Sequence, residues 1–269
     1  MVRWLFLVAP LILVFPSKCQ DDYIPVTLES GELTLNLRNS ATRWIPCLVT
    51  LLCLFVVALA CNGDDGDDTA DREEQRALLE AIILTETDVP ETMFEVSHAF
   101  STNEQAAEGA EDPAAELEQF ETWGRQLGLS ASYVLSPGSG AATFLGVQSD
   151  ANVYDDDQGC HRSYEHDVSA AREADWTTAF SQITDVEVTE LDASNIGDEA
   201  YWLRVTGTTI DAPKSLMAID QVVIRVGRVR AFLRADSRYP VDAVRDASQG
   251  QVETWAQLVE NRIRQGLGG

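Results

Sequence analysis

Asp155, Asp157, Cys160, His161 and His166 form the densest group of metal-capable side chains in this sequence. A thiolate with two imidazoles would suit zinc, which takes about four ligands in a tetrahedron. The spacing matches no standard zinc pattern, and neighbours such as Cys160 and His161 generally point apart. A polar surface loop is the simpler expectation, so neither a metal nor any other cofactor is assigned. A second group is cationic. Arg228, Arg230 and Arg234 share a strand face by two-residue periodicity, with Arg225 across a turn and Arg204 on a preceding strand. Cations gathered on so acidic a chain would suit a small anionic ligand. Pairing with acidic residues on covering helices, or a solvated face, is the more ordinary outcome. Nucleophilic catalysis has no local signal, because the chain lacks a Gly-x-Ser-x-Gly elbow. The paired acids Asp64-Asp65 and Glu73-Glu74 are explained by solvation, since acid/base work needs a cleft that separates two pKa values. No catalytic residue is assigned, and a hydrolase using the loop from Asp155 to Asp167 is the secondary functional reading.

The elements that must position these groups follow from periodicity. A helix should start near Asp71 with Leu78, Leu79, Ile82 and Ile83 as its apolar stripe, ending before Asp88-Val89-Pro90. Residues 94–100 alternate as a strand, and 102–113 are polar enough for a loop. Pro113 suits the first turn of a second helix running through Leu117, Phe120 and Trp123 to Gly128. Trp123 continues that stripe and reads as core. Strands over 130–135 and 142–154 flank the turn Ser136-Pro137-Gly138-Ser139-Gly140; a strand follows this turn, so its glycines do not form a phosphate loop. After a polar break at 154–161, a helix over 169–183 and strands at 186–191, 199–208, 217–226 and 228–235 are expected. Tyr201, Leu203 and Val205 should face one side of their strand, Trp202 and Arg204 the other. Both faces of 217–226 are partly apolar, which places it inside the sheet. A final helix from about Val241 carries Val252, Trp255, Ala256, Val259, Ile263 and Leu267, with Gly250 as a kink or break. The pattern predicts an α+β domain, one antiparallel sheet with helices packed on it.

Address is the clearest message. Arg38 and Arg43 precede an apolar run that ends in Ala58-Leu59-Ala60-Cys61, then an acidic stretch, Asn62-Gly63-Asp64-Asp65. This is the order of an export signal. The junction resembles a bacterial lipobox, although Ala58 stands where that motif favours Leu. Converting the Cys61 thiol to a diacylglyceryl thioether would anchor the chain, since each buried methylene contributes about 0.8 kcal/mol. Ordinary leader cleavage would cut the same bond and leave Cys61 bare. An uncut membrane helix is disfavoured, because spanning takes about 20 apolar residues and Pro46 interrupts the run. The expected organisation is therefore an N-terminal extension over 1–36 that precedes the real start, a signal peptide over 37–60, a lipidated tether over 61–71 and an extracytoplasmic domain over 72–269.

Composition agrees with export. The basic residues Arg3, Lys18, Arg38 and Arg43 cancel the acids Asp21, Asp22, Glu29 and Glu32, so the portion from Cys61 keeps the whole formal charge of −25. Such a field argues against nucleic acid and anionic surfaces. The tether's aspartates lack the order of an EF-hand loop. With Cys61 lipidated, Cys160 is the only thiol left, and a small buried filler is its expected role.

Four segments resemble a diverse group of exported bacterial lipoproteins with PsbP-like or sensor-type extracellular domains. They are Leu78–Pro90, Trp123-Gly124-Arg125, Ile196-Gly197-Asp198-Glu199-Ala200 and Val222–Ala231. The likeness implies an α/β sandwich with an antiparallel sheet and transfers no catalytic residue. The expectation is a lipid-anchored, sensor-like module, non-enzymatic, held at the membrane through Cys61 and receiving a small anionic ligand or an envelope protein. A structural envelope protein without a ligand is the remaining alternative.

Overall fold

The computed structural model describes residues 68–136, 143–180, 182–210, 214–240 and 248–268. Cys61, the expected signal peptide over 37–60 and the expected extension over 1–36 lie outside them. The domain is α+β, as its periodicity predicts. Seven strands form one antiparallel sheet: β1 (Met93–Ser101), β2 (Arg125–Leu135), β3 (Phe144–Tyr154), β4 (Ile183–Leu191), β5 (Glu199–Thr209), β6 (Ser215–Val226) and β7 (Val229–Pro240). Their order across the sheet is β1-β2-β3-β7-β6-β5-β4, so β7 and β6 are interior and β1 and β4 are the edges.

Strand alternation sends side chains to two faces, and both are covered. On one face, α1 (Asp68–Ile82) and α6 (Gln249–Gly266) lay Leu79, Ile82, Val252, Trp255 and Ile263 over Leu129, Val147, Trp202, Ile224 and Leu233. The other face receives α4 (Asp157–Glu173) and the short α5 (Trp176–Ala179). There Tyr164, Val168, Trp176 and Phe180 meet Tyr201, Leu203, Val205 and Val223. The alternation of Tyr201, Leu203 and Val205 against Trp202 and Arg204 is as the sequence predicts.

Several boundaries differ from expectation, each for a local reason. α1 begins at Asp68 rather than near Asp71, which places Asp71 in the first turn, where an acid suits the positive end of a helix. The 102–113 stretch contains α2 (Asn103–Ala107), closed by a capping box in which Thr102 and Gln105 satisfy each other's backbone amides. α3 (Pro113–Trp123) stops five residues short of Gly128, because Gly124 takes a left-handed conformation at φ 68° and β2 starts at once. The expected 154–161 break is far shorter: Asp156 caps Gly159 N–H, and α4 starts at Asp157, twelve residues before Ser169. Residues 176–183 are not its continuation but α5 and the start of β4. Gly250 lies in the first turn of α6 without ending it.

One buried pair ties the sheet to α6. Register places Arg204 opposite Asp220. The guanidinium donates to both carboxylate oxygens at 2.9 Å, and Trp202 Nε1 donates to Asp220 Oδ1 at 2.8 Å. Arg204 also donates to Ser248 Oγ at 3.0 Å, at the entry to α6. The side chains are 5% and 0% exposed. Removing one partner strands a buried charge, whereas replacing both with apolar groups does not. Asp220→Ala is expected to lower stability in urea unfolding by about 3–5 kcal/mol, and the pair Arg204→Met/Asp220→Leu by much less.

Candidate functional site

The arginines anticipated as an anion site divide between the two faces. Arg204 lies on the α1/α6 side with Trp202, whereas Arg225 and Arg230 are register partners on the face under α4. Each of these three already holds a carboxylate. Arg204 has Asp220, Arg225 has Glu199, and Arg230 has Asp167 of α4 together with Ser163 Oγ at 2.8 Å. Arg234 binds Asp236 through two contacts of 2.9 and 3.2 Å and stands over the Phe180 ring. Arg228, in the turn, donates to the Tyr154 carbonyl at 3.5 Å. Their positive charge is thus largely neutralised within the fold, and they form no single open anion cradle.

Asp157, Cys160, His161 and His166 are on helix, not loop, with Asp155 just before it, and the helix disperses them. At about 100° per residue, Cys160, His161 and His166 point in three different directions around α4. Cys160 faces inward, fully buried beside Tyr154 and Trp123, and burial pushes its thiol up to about 12. That is the small core filler expected. His161 faces solvent, with Nδ1 2.9 Å from Glu199 Oε2. His166 lies against the Trp123 ring, centroids 5.1 Å apart, and beside Gln119 Nε2 at 3.4 Å. Asp155 and Asp157 are exposed, Asp155 beside Gly124 and Asp157 in the first turn.

Sequence reasoning did not single out Asp150, which faces Ser130 of β2 and Phe232 of β7. Its Oδ2 accepts from Gln148 Nε2 at 2.8 Å, while Oδ1 is buried and receives no hydrogen bond of good geometry. Burial pushes this carboxyl up to about 6, against the opposing pull of Ser130, Gln148 and Arg230. Nearby, burial also raises Glu116 of α3, with Asp167 adding to it. Arg230 Nε is likewise buried without a partner. Both unpartnered atoms are closed to solvent, so the strip is an internal strain and not a receptor.

The opening lies elsewhere, beside β1. A shallow recess is bounded by Thr85, Glu86, Thr87, Glu95, His98 and Tyr133. The turn after α1 supplies the threonines because Asp88 draws Thr85 N–H and Oγ1 to itself at 2.7 and 2.8 Å. Tyr133 donates to the Leu84 carbonyl at 2.7 Å, fixing the floor. His98 bridges two acids: Nε2 is 3.0 Å from Glu80 and Nδ1 3.3 Å from Glu95. Burial opposes charging this imidazole, but the bonds to Glu80 and Glu95 outweigh it and raise its pKa. Its hydroxyls already serve fixed acceptors, and burial raises the Tyr133 phenol, so the recess offers charge and shape rather than an activated nucleophile. The same edge strand exposes Phe94 by 40% and Val96 by 41%. Sequence reasoning did not single out this place, since its residues come from a turn and two strands that only the fold brings together.

No protein-family model matches the chain, and no curated protein is similar to it. Among solved structures, it is similar to the extracellular domain of PknH from Mycobacterium tuberculosis, with 10% identity and a TM-score of 0.46 over 71% of this chain and 96% of that one. Among the described residues, no helix is long and apolar enough to cross a membrane.

The raised Asp150 carboxyl makes stability depend on pH with a definite sign. An acid that holds its proton more tightly when folded favours folding most below its ordinary value, near 3.8, and loses that advantage as pH rises through about 6. Urea unfolding between pH 4 and pH 7 is expected to show this fall, and Asp150→Asn to flatten it and be the more stable protein at pH 7. An unchanged slope in the variant assigns the pH dependence to other groups.

Proposed function

We propose that this chain is a lipid-anchored extracytoplasmic binding module, non-enzymatic and sensor-like, whose recess beside β1 receives a basic segment of an envelope protein. The observation that carries the reading is the recess itself, where Glu86 and Glu95 border an opening on an edge strand that also exposes Phe94 and Val96. The acids suit a partner segment with lysine or arginine, because complementary charge speeds encounter. Phe94, opposite Val134, faces the other side of the sheet from Glu95, opposite Tyr133, and offers apolar burial to a segment that lies along the edge. A small anionic ligand fits less well, since Arg204, Arg225, Arg230 and Arg234 already hold carboxylates. The anchor rests on the Ala58-Leu59-Ala60-Cys61 junction, and the acidic residues after it suit a solvated tether.

The two halves of the proposal have separate tests. In the native host, the wild-type chain is expected in the membrane fraction with an acylated Cys61, and Cys61→Ser in the soluble fraction. An intact mass showing a bare thiol at that position removes the anchor. For the recess, a lysine-rich peptide containing one aromatic residue is expected to bind the wild type and to bind Glu86→Gln/Glu95→Gln about tenfold more weakly. Glu118→Gln/Glu121→Gln changes the charge equally on the exposed side of α3 and is expected to bind as the wild type does. Equal weakening by both pairs would mean that the acidic field alone attracts the peptide.

A further inference from the structure

α4 and β5 together assemble a donor set that no sequence spacing joined. His161 and Glu165 are one helical turn apart, so both project from the same side of α4. Glu199 opens β5, and one ligand atom from each of the three residues lies within 4.8 Å of the others. Glu199 is fixed from behind by Arg225, its register partner on β6. Among the described residues the Glu165 carboxylate has neither a hydrogen bond nor an ion pair. Two carboxylates this close repel, and Arg225 answers only the one it touches.

We propose that His161, Glu165 and Glu199 form a surface site for a divalent transition cation, zinc foremost. One imidazole and two carboxylates are the mixed nitrogen and oxygen donors such ions accept, whereas calcium and magnesium favour oxygen ligands throughout. Three protein ligands leave a zinc ion a position open to solvent, where water or a donor from a partner can enter. Arg225 acts as the outer support that holds a ligating carboxylate in place. His98 also lies near two acids, but its two nitrogens address Glu80 and Glu95 separately, so those donors diverge. The site stands on a different surface element from the β1 recess and does not depend on it.

The test uses the full chain in detergent, without a polyhistidine tag and stripped of metal, titrated with zinc chloride by calorimetry. One saturable site is expected, weakened about tenfold or more by His161→Ala and by Glu165→Gln and unchanged by His98→Ala. Zinc should raise the thermal midpoint of the wild type and not that of His161→Ala, and excess magnesium should not displace it. Both replaced side chains are exposed, so circular dichroism should show an intact fold; if His161→Ala unfolds, the Glu165→Gln affinity decides. Wild-type affinity in the variants, or uptake spread over many weak carboxylate sites, would overturn the assignment.

Discussion

The seating of α4 on the sheet is the contact on which the chemistry of this domain turns. Two glycines permit it. A Cβ at Gly159 would come within 1.9 Å of the Trp123 carbonyl oxygen, and Gly124 supplies the left-handed turn, at φ 68°, that ends α3. The end of α3 and the start of α4 therefore approach more closely than side chains allow. From that junction Cys160 enters the core, Ser163 reaches Tyr154 at 2.7 Å, and Asp167 meets Arg230. His161 is left outside, level with Glu199. A sheet face that alternation alone would read as basic becomes an internal charge network because this helix lies across it.

How legible each part was follows from how local its cause is. Strands β5, β6 and β7 were readable because interior strands repeat their pattern over ten or more residues, and their face assignment held for Tyr201, Trp202, Leu203, Arg204 and Val205. The α4 start was not, because Asp155-Asp156-Asp157-Gln158-Gly159 looks like a polar loop while acting as cap and first turn. Gly159 suggests flexibility in sequence but serves close packing. The expected sites fared according to the same rule. Shared strand parity correctly grouped Arg230 and Arg234, but only sheet register sets Arg204 on the opposite side. Glu165 and Glu199 were invisible beside His161, since one depends on helix phase and the other on a strand 38 residues away.

Charge is partitioned between interior and surface. Arg230 and Arg204 hold carboxylates under the helices, while Arg262 and Arg264 of α6 bind Asp88 and Asp198. Cations are thus spent largely on pairs that tie elements together, and the acids in excess are left facing water. The edge strands carry this further. β4 is exposed along most of its length, with Glu187 and Glu190 outward and an irregularity at Asp185, which takes φ 56°. Charge and a broken ladder both discourage another strand from adding there. β1 likewise has an irregularity between Glu95 and Ser97 and exposes Phe94 and Val96, as β4 exposes Val188.

Both edges therefore join a broken ladder to an exposed apolar side chain, and charge alone seals neither. An excess charge of −25 repels anionic head groups, so a domain tethered near a membrane would be held off its surface unless a cation or a basic partner intervened. Two of the places where carboxylates gather near a histidine differ in geometry: the β1 recess at His98 and the α4–β5 rim at His161. In the first the imidazole bridges its acids, which leaves Glu86 as the outward charge. In the second Glu165 has no such bridge. The same excess of acid therefore has two different local outcomes, according to whether the histidine nitrogens diverge or the donor atoms converge.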